Sequence, residues 1–166
     1  MNSGKICSLL ILCALLTCTI PSAFAVDDEA VKLYNRASQY INVGDYTNAL
    51  PLLDRALALN SSEFFASGAR TYALLDKSKA QIELGEFNGA LATIDLALAT
   101  EETDKLWNNR GYVLFRLGRY DEAVTSYTTA IRITPDYTIA LINKGDALMK
   151  LAKYQDAIDA YTKAMA

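Results

Sequence analysis

The chain has 166 residues, 52% of them hydrophobic and 21% charged, with a formal net charge of −3 and a pI of about 5.0. That balance describes a folded globular chain rather than a disordered one, and its acidity argues against a nucleic-acid binder. Histidine is absent, which removes the commonest general base and the commonest metal ligand together.

The first 25 residues read as a secretory signal peptide. Lys5 supplies a positive start, Ile6 to Ile20 is an uncharged apolar run, and Ala23-Phe24-Ala25 matches the small-x-small pattern of a cleavage site. The run is short for a membrane span, which needs about 20 apolar residues. Cleavage after Ala25 leaves residues 26–166 for the fold and places the protein in an extracytoplasmic compartment, secreted or periplasmic in type. It removes Lys5, so the net charge becomes −4, and it removes Cys7, Cys13 and Cys18, the only cysteines. A membrane association follows only if the segment is left uncleaved as an anchor.

The rest of the chain repeats itself. Gly44-Asp45-Tyr46, Gly85-Glu86-Phe87 and Gly118-Arg119-Tyr120 each lead, three residues past the ring, to an alanine: Ala49, Ala90 and Ala123. Ala152-Lys153-Tyr154 leads in the same way to Ala157. These alanines lie 41, 33 and 34 residues apart, and a second alanine follows each by seven residues at Ala56, Ala97, Ala130 and Ala164. Between each pair sits a larger residue, Leu53, Ile94, Tyr127 or Tyr161. Steps of four, three and four residues place all of these on one helix face. Glycine suits the left-handed position that ends a helix, so each unit reads as helix A, turn, helix B. The fourth turn, with Ala152 in the glycine's place, is expected to be strained or closed differently.

In chain order the expected helices are 28–43 and 47–59, 62–84 and 88–99, 104–117 and 121–133, then 138–151 and 155–166. Asp28, Ser61 or Ser62, and Thr103 are candidate N-caps. Pro51 is expected in the opening turn of its helix, where a missing N–H matters little. The 41-residue spacing leaves an extra segment at about 64–70, read either as added turns at the start of the second helix A or as a longer loop. The repeats run at about 30–63, 71–103, 104–137 and 138–166.

This pattern resembles the tetratricopeptide repeat family, most closely at Trp107, Gly111, Gly118, Tyr120, Ala123, Tyr127, Ala130 and Pro135. The resemblance implies an all-α solenoid of antiparallel helix pairs wound into a right-handed superhelix. It also implies a groove lined by helices A that holds an extended peptide. The family's groove asparagine falls on Asn35, Asn109 and Asn143, with Asp76 at that place in the second repeat. Asparagine both donates and accepts, so it can hold a peptide amide from both sides. Alternatively, these asparagines only bind water. On the same face follow Ser38, Lys79, Tyr112 and Asp146. The candidate peptide-binding set is therefore Asn35, Lys79, Asn109, Tyr112, Asn143 and Asp146. The clamp with which some members grip an acidic C-terminal tail is not reproduced, because Tyr34 and Asn109 stand where that clamp has basic residues.

No catalytic constellation, cofactor site or metal site is expected. The carboxylates at Asp27-Asp28-Glu29 and Glu101-Glu102 read as complements to helix dipoles. The function expected is a non-catalytic scaffold for a peptide segment or partner protein. The alternative is a structural subunit that forms a homodimer through its last helix, where Ile158 and Met165 are apolar with no further helix to cover them.

Overall fold

The computed structural model describes residues 23–59 and 69–166, with side chains from 29 and from 70. Among the described residues there are eight α-helices and no strand: α1 Ala23–Asn42, α2 Tyr46–Ala58, α3 Ala69–Glu83, α4 Phe87–Leu98, α5 Asp104–Arg116, α6 Tyr120–Ile133, α7 Thr138–Lys150 and α8 Tyr154–Met165. Residues 1–22 of the expected signal segment, Ser61, Ser62 and most of the extra segment lie outside them. None of the helices is long and apolar enough to cross a membrane.

Successive helices pack as antiparallel pairs, α1 with α2, α3 with α4, α5 with α6 and α7 with α8, and each pair stacks on the next through its second helix. The alanines of the repeat explain the close approach. Ala49, Ala56, Ala90, Ala97, Ala123, Ala130 and Ala157 are fully buried, and Leu53, Ile94 and Tyr127 fill the space beside them. The core is a chain of clusters shared between neighbouring pairs. Leu91 touches the cluster around Leu74 and Ile94 and also that around Leu114 and Tyr127, while Val124 links the latter to Leu148 and Ala157.

Within each pair one small residue of helix A faces one large residue of helix B, sixteen positions later. The small residues are Ala37, Ser78, Gly111 and Gly145; the large ones are Leu53, Ile94, Tyr127 and Tyr161. The sizes compensate. Tyrosine occurs only opposite glycine, where a Cβ on Gly111 or Gly145 would come within 2.6 or 2.4 Å of the ring. Leucine and isoleucine occur opposite alanine and serine.

The turns within the pairs close alike. Gly44, Gly85 and Gly118 take φ of 76, 80 and 77°, and the N–H three residues past each helix end reaches back five residues, as in Arg119 to Leu114 at 2.9 Å. This is the double-bonded C-terminal cap that glycine favours. The fourth turn is strained but not closed differently: Ala152 adopts φ 57°, and Lys153 still donates to the Leu148 carbonyl at 3.0 Å. A left-handed residue with a Cβ costs about 1–2 kcal/mol. Ala152→Gly is therefore expected to stabilise the protein by about 1 kcal/mol, read as a higher urea midpoint.

Thr103 caps α5 as expected, its hydroxyl accepting from the Leu106 N–H at 3.2 Å, and Asp45 caps α2 through the Asn48 N–H. Two expectations are corrected. Asp28 is no N-cap, because α1 already runs from Ala23. Pro51 is not in the opening turn: it is the sixth residue of α2, inside the helix, on its exposed side. There its missing N–H leaves the Thr47 carbonyl without a helical donor, and solvent can take that place.

Candidate functional site

The four helices A form one continuous face. Tyr34 of α1 donates its hydroxyl to Asp76 Oδ2 of α3 at 3.1 Å, and Asn143 Nδ2 of α7 donates to Asn108 Oδ1 of α5 at 3.0 Å. Between α3 and α5 opens a cleft of about 310 Å³ lined by Leu75, Asp76, Lys79, Ile82, Glu83, Asn109 and Tyr112. A smaller recess of about 60 Å³ follows between Tyr112, Phe115, Tyr127, Asn143 and Asp146. The helical repeat produces this directly. Residues three and four apart stand together, so Leu75, Lys79 and Ile82 line one wall and Asn109 and Tyr112 the other.

The structure thus brings Lys79, Asn109 and Tyr112 to one cleft, and Tyr112, Asn143 and Asp146 to the next. Asn35 is exposed on α1 and lines neither. Several of these groups are already engaged. Tyr112 Oη accepts from Arg116 at 2.8 Å, and Arg116 also lies 4.5 Å from the centre of the Phe87 ring. Asp146 accepts from Tyr161 Oη at 2.7 Å. Asn143 donates one N–H to Asn108, and among the described residues no donor reaches its carbonyl oxygen. Asn109 alone of the two asparagines in the clefts has its whole amide to offer.

Two residues of the site were not singled out from sequence for the roles they take. Asn108 is buried and anchors Asn143. Asp76 is the place where the asparagine series breaks, and the break has a structural reason: it holds the Tyr34 hydroxyl. Burial raises the Asp76 carboxyl above its usual range, and burial together with the facing carboxylate pushes the Tyr34 phenol up to about 12. A tyrosine that must donate at every ordinary pH, paired with an acceptor, is a fixed strut between α1 and α3. Its sequence signal is the concurrence of an aromatic at 34 with a carboxylate at 76, legible only once the two helices are known to touch.

No group of three or more Cys, Asp or Glu is placed to hold a metal among the described residues. What the face offers is hydrogen-bonding amide, hydroxyl and ammonium groups interleaved with apolar walls, which suits an extended polar backbone with side chains inserted between.

Known proteins agree with this architecture. The family of the TPR repeat matches residues 111–152, and that of the tetratricopeptide repeat matches residues 139–166. No curated protein matches the sequence. Among solved structures, MamA from Desulfovibrio magneticus RS-1 superposes with a TM-score of 0.74 at 18% identity over 82% of this chain and 73% of that one. YrrB, described as a TPR protein with an unusual peptide-binding site, gives 0.69 at 21% identity over 87% and 73%. The first TPR of Spaghetti (RPAP3), bound to an HSP90 peptide, gives 0.66 at 20% identity over 76% and 95%. The fold is an α-solenoid of tetratricopeptide type, and its C-terminal part carries repeats that the family itself recognises.

Proposed function

We propose that the protein is an exported, non-catalytic scaffold that binds a peptide segment or partner protein along the face of α1, α3, α5 and α7. The observation that carries this reading is the α3–α5 cleft, in which Asn109 and Lys79 stand beside the apolar walls of Leu75 and Ile82. The binding described for YrrB and for the RPAP3 domain shows that this fold can hold peptides, which supports the same use here. Export rests on the N-terminal segment. Intact mass from the native host tests it: mature protein beginning at Val26 agrees, and a mass retaining residues 1–25 does not.

Groove binding is tested by capture of a partner on the mature protein, followed by calorimetry with Asn109→Ala. Loss of one hydrogen-bonding amide is expected to weaken binding by about 1 kcal/mol. The fold should be kept, because the side chain is only half-buried. Unchanged affinity moves the partner to another face.

Self-association is the second reading, and one observation favours it. Ile158 and Met165 are 55% and 80% exposed, whereas their counterparts Leu91, Leu98, Val124 and Ile131 are partly covered. Exposed apolar strips of this kind commonly serve association. Light scattering of the mature protein decides between a monomer and a dimer.

A further inference from the structure

On the opposite side of the molecule, a groove of about 490 Å³ runs between α6 and α8 with α7 as its floor. Val124 and Ile131 form one wall and Leu141 and Leu148 the floor. Lys144, Lys163 and Asp156 are among the charged residues along it. The corresponding places between earlier pairs are filled from within. In the first, Lys77 of α3 reaches Asp54 of α2 at 2.7 Å, and Gln81 accepts from the Thr93 hydroxyl at 2.7 Å in a buried contact. In the second, Arg110 of α5 reaches Asp95 of α4 at 2.8 Å and Ser126 of α6 at 3.0 Å, and lies over the Trp107 ring.

Repeat arithmetic places Lys144 where Lys77 and Arg110 stand, but all its counterpart's partners have changed. Thr128 replaces Asp54 and Asp95, Ala160 replaces Ser126, and Leu141 replaces Trp107. Thr128 spends its hydroxyl on the Val124 carbonyl of its own helix at 2.7 Å. The third place has neither the Trp107 ring of the second nor the Gln81–Thr93 contact of the first, whose positions Leu148 and Ala160 hold. Its cation lacks the carboxylate that both counterparts hold, and among the described residues no acid is found in contact with Lys144 or Lys163. Lys153 and Asp159, by contrast, are engaged within the protein by Asp121 and Gln155.

We propose that this groove docks an amphipathic helix of a partner protein that carries a carboxylate beside its apolar stripe. Val124 to Ile131 and Leu141 to Leu148 are each seven residues, about 10 Å along a helix, so the floor and wall match two turns of an incoming helix. The partner's acid takes the position that Asp54 and Asp95 occupy in the earlier repeats, within reach of Lys144, while its apolar residues cover the four aliphatic side chains. Asp156 lies on the opposite wall and disfavours an acid there, which fixes the orientation.

The test uses the full mature chain and three terminally blocked amphipathic peptides. They share one leucine stripe and differ only in carrying glutamate, glutamine or lysine beside it, and anisotropy of a labelled peptide reads binding. The glutamate peptide is expected to bind about fivefold tighter than the glutamine one and to outrank the lysine one further. Lys144→Gln should abolish that preference. Thr128→Asp, which restores the acid of the earlier repeats, should abolish it too by occupying Lys144 internally. Asn109→Ala should leave it unchanged, which separates this surface from the face of helices A. Equal binding of the glutamate and glutamine peptides overturns the proposal, as does a preference that survives both Lys144→Gln and Thr128→Asp or one that Asn109→Ala removes.

Discussion

Tyr127→Ala is expected to cost about 3–5 kcal/mol of folding stability, the range for removing a buried aromatic ring. Tyr127 is 1% exposed and packs with Leu114, Ala123 and Ala147, so it joins the third helix pair to the fourth. Its neighbours cannot collapse into the space, because the alanines and Gly111 have no side chain long enough to fill it. Burial raises the phenol above its usual pKa, so the group is neutral and brings no charge into the core. The loss is large beside a total stability of about 5–15 kcal/mol. Urea denaturation followed by circular dichroism measures it as a lower midpoint. Tyr127→Phe, which keeps the ring, should retain most of the stability. An alanine variant within about 1 kcal/mol of wild type would show that the ring is not the joint between the pairs.

Gly111→Ala is expected to destabilise by about 1–2 kcal/mol, although alanine is the better helix former. In an open helix the exchange would gain about 1 kcal/mol. Here the added Cβ meets Tyr127 ring carbons at 2.6, 2.7 and 2.9 Å. The ring is fully packed and cannot move aside, and overpacking of this kind costs about 1–3 kcal/mol, so the steric term prevails. The same substitution should become stabilising in a Tyr127→Leu background, which recreates the Ala37–Leu53 pairing of the first repeat. A double-mutant cycle measured by urea denaturation reads that reversal directly. Additive effects would mean that the two sites do not meet.

The pairing also shows what was legible in the sequence. Glycine, ring and alanine at fixed steps were enough to place six of the helices to within about three residues at both ends, and the end of α3, whose expected start at 62 lies outside the described residues, because each signal has a local cause: a left-handed cap, a close approach, a helical face. The first helix begins five residues earlier than the caps suggested, since Asp28 continues a helix as readily as it starts one. Pro51 was misplaced because a proline's tolerance depends on which side of the helix faces water, and the local pattern does not carry that.

The candidate site was legible as a set of positions but not as a set of contacts. Asn109 and Lys79 were named from their register, and they do share a cleft. Asn143 was named with them, yet one of its N–H groups goes to Asn108, a residue from another repeat. Asp76 looked like a gap in a series and is a strut to Tyr34. These roles depend on which helices A touch across the stack, and no spacing within one repeat contains that information. The groove beside Lys144 likewise depends on the ion pairs that the equivalent residues Lys77 and Arg110 make between helices, which no spacing within one repeat contains.

Hydrogen–deuterium exchange of the protein, free and with a captured partner, tests most directly the proposal that the face of helices A is the binding surface. Amides report local opening, so a bound segment slows exchange in the helices it bridges. The expected result is slowed exchange in α3 and α5 around Lys79, Asn109 and Tyr112, extending into α7 at Asn143, with α2 and α4 unchanged. Protection confined to α2, α4, α6 and α8, with α3 and α5 as in the free protein, would contradict it.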